Sequence, residues 1–422
     1  MLMAVDAISH AYRTRLVDPY LDELLEQLSG LLVVGPRATG KTTTMGRRAA
    51  TRVRLDLDAE AAAFRADPAA ALRSRREPVL LDEWQNVPGV LAAVRRAVDA
   101  DPRPNRFYVT GSVHAEIENR VWPGTGRLVR LPIYPMTIRE LLGRTDGPTF
   151  FDRIAAGDAL ATPADAPDLL GYVDLALQSG FPTPALELTG RARAAWLSSY
   201  VADLLSHDIE QFEGAAGRRR DPERLRSYLE AYALSSAGVS EHKTIFDAAG
   251  INKVTASSYE TLLTDLLIVE QVPAWTSNRL KRLVRQPKRY MIDAALMAAT
   301  LRVDEQGVVA DGNVLGRMLE TFVAAQLRPE VPLSRTRPRL YHLRTEKGRR
   351  EVDLLAELGG KRVIGIEVKS TAAPGAKAAE HLAWLRDRLG DRFLGGIVLH
   401  TGQGHFELGR GIQAAPIAAL WA

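Results

Sequence analysis

The run Leu31-Leu32-Val33-Val34 followed by Gly35-Pro36-Arg37-Ala38-Thr39-Gly40-Lys41-Thr42 constrains this chain more than any other feature. An apolar stretch of strand length breaks into a glycine-bounded loop that fits the pattern G-x-x-x-x-G-K-S/T. Such a loop turns backbone N–H groups toward phosphate oxygens, and the helix expected after it points its positive end at the same anion. Gly35, Pro36, Arg37, Ala38, Thr39, Gly40, Lys41, Thr42 and Thr43 are therefore the candidate nucleotide-binding residues, with Lys41 reaching the β- and γ-phosphates and Thr42 a ligand for Mg²⁺. Val79-Leu80-Leu81 predicts a second buried strand ending in Asp82, suited to holding the metal, and Glu83, suited to polarising an attacking water. ATP and Mg²⁺ are the expected cofactors, and ATP hydrolysis the expected chemistry.

The rest of the N-terminal region supports this setting. Leu21, Leu24, Leu25 and Leu28 recur at helical spacing before the first strand. Strand-like runs follow at Val53 to Leu57, Pro78 to Leu81, Arg106 to Thr110 and Arg127 to Ile133, with alanine-rich helical stretches between them, which predicts an α/β fold with a doubly wound parallel sheet. A stretch rich in Gly, Pro, Asp and Ala near Thr145 to Asp168 marks a boundary. Beyond it the pattern is helical to Ser236, then two short helices at Ile245 to Ala249 and Val254 to Leu267 precede strands at Ile268 to Trp275 and Lys288 to Ile292. Residues 305 to 422 read as another α/β unit, with strands near Arg339 to Leu343, Val352 to Glu357, Val363 to Val368 and Gly396 to His400. With 422 residues and a 46% hydrophobic composition there is core enough for several domains.

Composition excludes some chemistry. Without cysteine there is no disulfide, thiolate metal site or cysteine nucleophile. No stretch approaches the ~18 continuous apolar residues of a membrane span, and Met1 to Arg15 lacks an apolar signal core, so a cytoplasmic protein without a membrane partner is expected. Lys and Arg number 55 against 51 Asp and Glu, so any affinity for polyanions must come from local clustering.

The order of motifs resembles a prokaryotic family of ATP-binding proteins in which an AAA-type ATPase is joined to a C-terminal region catalogued as a domain of unknown function. The residues that carry the resemblance are Gly35 to Thr43, Leu81-Asp82-Glu83-Trp84-Gln85, Val109-Thr110-Gly111-Ser112, Gly126-Arg127 with Pro135 and Glu140, Gly180-Phe181-Pro182, Trp196 with Tyr200, and Asp208-Ile209. The resemblance implies an AAA+ P-loop parallel sheet over residues 1–150, including the N-terminal helix, and a helical lid over 151–215. It implies a γ-phosphate sensor at Thr110 or Ser112, and an arginine finger at Arg127 offered to a neighbouring subunit of a homo-oligomer, preferably a hexameric ring. A second sensor arginine is not evident; Arg191 and Arg193 are the candidates.

Residues 216–304 resemble a winged-helix domain, with Lys253 to Ser258 opening the recognition helix and the hairpin tip as wing. Arg279, Lys281, Arg282 and Arg285 crowd that tip with no acidic residue among them, a charge suited to DNA phosphates, although a merely solvated hairpin has the same composition. Residues 305–422 resemble a restriction-endonuclease-like α/β domain. Val352-Asp353-Leu354-Leu355 and Gly365-Ile366-Glu367-Val368-Lys369-Ser370 are similar to the PD-(D/E)XK nuclease signature. Glu367 and Lys369 stand two apart and share one strand face, Asp353 and Glu367 are the candidate metal ligands, and Glu320 is the additional acidic residue. Glu and Lys alternating along an edge strand, or an inactive nuclease fold kept for binding, are the bland alternatives. The expected function is an ATP-dependent AAA+ motor that binds or remodels duplex or branched DNA. An ATP-gated nuclease and a regulatory ATPase switch with an inactive nuclease fold are the competing readings.

Overall fold

The computed structural model describes residues 12–111, 126–216, 221–275, 286–345 and 350–422, with the side chains of 207–216 left aside. Its first sheet has five parallel strands: β1 (Gly30–Val34), β2 (Thr51–Arg54), β3 (Val79–Asp82), β4 (Phe107–Gly111) and β5 (Val129–Pro132), in the order β2-β3-β4-β1-β5. Every residue of β1, β3 and β4 is buried, because helices cover both faces, and this is why these strands read as unbroken apolar runs. The edge strands β2 and β5 alternate with exposed arginines instead. Register sets the functional geometry: Val34 lies beside Gly111, and Asp82 beside Thr110, so the carboxyl ends of β1, β3 and β4 share one edge.

The middle region builds three helices, Pro222–Leu234, His242–Ala248 and Lys253–Asp265, followed by the antiparallel pair β6 (Val269–Val272) and β7 (Lys288–Met291). Gly238 adds one bridge to Arg289 of β7. Tyr228, Tyr232, Ile245, Tyr259, Leu262 and Met291 form its core, and Asp221 and Asn252 cap the first and third helices through side-chain bonds to backbone N–H groups.

A six-stranded mixed sheet follows, comprising β8 (Arg339–Arg344), β9 (Glu351–Glu357), β10 (Val363–Lys369), β11 (Phe393–His400), β12 (Phe406–Gly409) and β13 (Ile412–Pro416), in the order β12-β13-β11-β10-β9-β8. The helix Gly312–Leu327 covers one face through Leu354, Ile364, Ile366, Ile397 and Leu399, and the helix Glu380–Leu389 covers the other through Val352, Leu355, Val363 and Val398.

The stretch expected as a lid divides. Phe150, Phe151, Ile154, Tyr172, Val173 and Ala176 pack into the C-terminal core with Met318, Phe322 and Trp421, because these side chains are too apolar to cap a nucleotide in solvent. Phe181 and the helix Gly190–Ala216 pack instead beside the first sheet and the middle region, Phe181 with Tyr228, Tyr232 and Leu263, and Tyr200 at the Arg37 carbonyl. Among the described residues no helix is long and apolar enough to cross a membrane.

Candidate functional site

The loop after β1 is shaped by steric necessity. A Cβ on Gly35 would meet the Ile133 carbonyl oxygen at 2.1 Å, so only glycine lets the chain pass there. Ala38 and Gly40 take positive φ values of 60° and 86°, and Gly40 caps the helix Lys41–Gly46. The Lys41 ammonium is buried and donates to the carbonyls of Gly35 (3.0 Å) and Pro36 (2.8 Å).

Asp82 stands opposite. Its Oδ1 accepts from Thr42 Oγ1 at 2.8 Å and from Thr110 Oγ1 at 2.6 Å, and its Oδ2 pairs with Arg52 at 3.1 Å. The Thr42 and Asp82 oxygens thus lie side by side at the loop, a donor set fit for Mg²⁺. Thr110, expected as a phosphate sensor, is fully buried, and its hydroxyl donates to Asp82 Oδ1. Ser112 lies outside the described residues. Glu83 leaves the strand in a left-handed conformation, φ 55° and ψ 49°, and Gln85 Nε2 donates to its carboxylate. Arg127 pairs with Asp99 at 2.7 Å at the amino end of β5, the end of the sheet away from Lys41.

Arg15 is the residue that sequence reasoning missed. Buried at 4% exposure, its guanidinium donates to Glu140 Oε1 (2.9 Å), to the Thr39 carbonyl of the loop (2.9 Å) and to the Tyr134 carbonyl (2.7 Å). Glu140 in turn accepts from the backbone N–H groups of Leu16 and Thr137. No local pattern announces a pairing across 125 residues. Arg193, a candidate second sensor, instead bonds to the carbonyls of Pro184 and Leu188.

Burial pulls the Lys41 ammonium down to about 8, against the opposing influence of Glu83 and Asp82. Phosphate oxygens in the loop would favour the charged form, so binding takes up a proton wherever the lysine is otherwise neutral. ATP affinity is accordingly expected to fall as pH rises past about 8. Calorimetry in buffers of different ionisation enthalpy reads both the affinity and the proton uptake; an affinity that stays flat through that window, with no uptake, would refute the linkage.

A second cluster lies in the C-terminal sheet. The residues singled out there come together: Asp353 on β9, Glu367 and Lys369 on β10, and Glu320 on the helix beneath. Lys369 Nζ donates to Glu367 Oε2 at 2.6 Å and stands 3.9 Å from Asp353 Oδ2. Tyr290 donates to Glu320 at 2.6 Å, and the Val368 N–H to Asp353 Oδ2 at 2.9 Å. Burial, with Asp353 alongside, pushes Glu320 up to about 7 and Glu367 well above the usual carboxylate range. An unforeseen member is Lys288 of β7, whose ammonium sits 2.5 Å from Glu320 Oε1 and 3.2 Å from Asp353 Oδ1. The two expected metal ligands thus lie together with ammonium groups at their oxygens, Lys288 at Asp353 Oδ1 and Lys369 at Glu367 Oε2. Lys253 is exposed at the start of its helix, while Arg279, Lys281, Arg282 and Arg285 lie outside the described residues.

Comparison with known proteins gives each region a counterpart. Residues 29–142 match an AAA domain, residues 170–307 a domain of unknown function (DUF8612), and residues 315–420 another (DUF4143). Uncharacterized proteins of Mycobacterium tuberculosis and Mycobacterium bovis are each 28% identical over 404 residues, covering 94% of this chain and 82% of theirs. A Walker-type ATPase of Pyrococcus abyssi superposes with a TM-score of 0.41 at 16% identity, over 68% of this chain and 94% of that one. The first sheet with its glycine loop lies within the residues that match the AAA domain, and the C-terminal sheet within those that match DUF4143.

Proposed function

We propose that this chain hydrolyses ATP and works on DNA as a homo-oligomer, passing nucleotide state from the glycine loop to the middle region. The observation that carries the reading is the convergence of Lys41, Thr42, Asp82 and Glu83 at the carboxyl edge of β1, β3 and β4. Lys41 neutralises the β- and γ-phosphates, and Glu83 takes the proton of the attacking water. Thr42 and Asp82 would hold Mg²⁺, which supplies charge neutralisation for the phosphates when bound. Thr110 and Arg52 fix the Asp82 carboxylate in place.

A mechanical path supports the coupling. Tyr200, on the helix Gly190–Ala216, donates to the Arg37 carbonyl of the loop at 3.3 Å. The same helix packs against the helix Ala294–Leu301 and the first helix of the middle region. That region, with three helices, a bridge at Gly238 and a hairpin, has the element order of a winged helix, and its third helix begins with exposed Lys253 and Val254, the latter 75% exposed. In an oligomer, Arg127 would reach the neighbouring subunit's nucleotide, as an arginine finger does.

The test is ATP turnover with single-stranded, duplex and four-way-junction DNA. We expect stimulation by one DNA form in the unmodified protein and in Lys369→Ala, and none in Lys41→Ala or Glu83→Gln. Turnover indifferent to every DNA form would shift the output to the second reading, a regulatory ATPase switch. That reading has its own support in Lys288, which fills the C-terminal carboxylate cluster where cleavage chemistry would need room.

A further inference from the structure

Cations already claim the C-terminal carboxylates. Lys288 is 1% exposed, and its Nζ lies between Glu320 Oε1 and Asp353 Oδ1 at 2.5 and 3.2 Å, with the Asp353 carbonyl at 3.4 Å. Asp353 Oδ2 takes the Val368 N–H, and Glu367 Oε2 takes Lys369. Among these oxygens only Glu367 Oε1 is buried without a hydrogen-bond partner. A Mg²⁺ or Mn²⁺ ion asks for about six oxygen ligands near 2.0–2.2 Å. Here it would have to displace one ammonium and sit against the other.

We infer that Lys288 is the resident cation of this cluster: its ammonium takes the place a divalent ion would need between Glu320 and Asp353, and thereby locks the β6–β7 hairpin to the C-terminal sheet. The lock has a second fastening on the outgoing side of the hairpin. Trp275 Nε1 donates to Glu357 Oε2 at 2.8 Å, and Ala274 bridges in parallel to His342 of β8, with the His342 N–H donating to the Pro273 carbonyl at 3.1 Å. Both arms of the hairpin are thus tied to the sheet, one by an ion cluster and one by its edge strand. Removing a partner from a buried ion cluster leaves charge uncompensated, which disfavours any state in which the hairpin leaves the sheet. The centre is therefore a joint that accepts an ammonium, and metal-dependent cleavage is not its chemistry.

The probe is Mn²⁺ alone, titrated into the nucleotide-free full chain and followed by loss of the free-ion electron paramagnetic resonance signal. The unmodified protein and Asp353→Asn are expected to give the same titration. Lys288→Ala is expected to gain one site, and the double variant Lys288→Ala with Asp353→Asn to lose it again; the paired Asp353→Asn comparisons separate this site from any weak binding near Thr42 and Asp82. Should Lys288→Ala not fold, Lys288→Ser offers the same opening with a hydroxyl to satisfy a carboxylate. Mn²⁺ binding in the unmodified protein that Asp353→Asn abolishes would overturn the inference. So would a folded Lys288→Ala or Lys288→Ser protein that binds no more Mn²⁺ than the unmodified one.

Discussion

Glu83→Gln is expected to lower ATP turnover about a hundred- to a thousandfold, equivalent to ~3–4 kcal/mol on the barrier, while leaving ATP affinity within a factor of about two. The substitution keeps the size of the side chain and an acceptor for the Gln85 amide, so the local geometry survives and only the proton acceptor is removed. Lys41→Ala should behave differently. It deletes the ammonium that faces the phosphates, so affinity and turnover fall together. The split between the two variants, measured as KM against kcat, is what assigns Glu83 to the chemical step and Lys41 to binding as well. If Glu83→Gln turned over ATP at an undiminished rate, the base would have to be sought elsewhere on that edge of the sheet.

Glu330→Ala is expected to be the most destabilising single substitution of the buried charges, by ~3–5 kcal/mol. Glu330 is 2% exposed; its Oε1 accepts from Arg139 at 2.7 Å, and its Oε2 accepts from the Phe150 N–H. Alanine would strand the Arg139 guanidinium, which keeps only the carbonyls of Arg144, Asp146 and Pro148, and would leave the Phe150 N–H without an acceptor. Glu330→Gln keeps an acceptor and should lose less. The pair also joins the segment leaving the first sheet to the C-terminal region across 191 residues. The two regions are therefore expected to unfold together in denaturant, with one transition shifted in the variant. Equal midpoints for Glu330→Ala and the unmodified protein would show the pair to be dispensable.

Much of this molecule was legible from local pattern. The strand expected at Arg106 to Thr110 is β4 (Phe107–Gly111), and that at Val352 to Glu357 is β9 (Glu351–Glu357). Buried strands announce themselves by unbroken apolar runs, and Glu367 and Lys369 share a face because strand side chains alternate. The strands β12 and β13 were not anticipated: Phe406-Glu407-Leu408-Gly409 and Ile412-Gln413-Ala414-Ala415-Pro416 carry little apolar alternation, and their pairing with each other and with β11 supplies the order instead. Helical periodicity in residues 151–178 does not say which surface the apolar face will meet; the structure buries Phe151, Ile154, Tyr172 and Val173 against the C-terminal core.

By itself the sequence determined the glycine loop, the strand before it, the acidic pair Asp82 and Glu83, and the placement of Glu367 beside Lys369, because each depends on neighbours only a few residues away. Tertiary structure alone decided that Arg15 clasps the loop, that Thr110 meets Asp82, that Glu330 joins two regions, and that Lys288 at the start of β7 enters a carboxylate cluster. A charged side chain can be buried only where opposite charge and hydrogen-bond partners meet it. Those partners lie 24 to 191 residues away along the chain, so their meeting is a property of the packed fold.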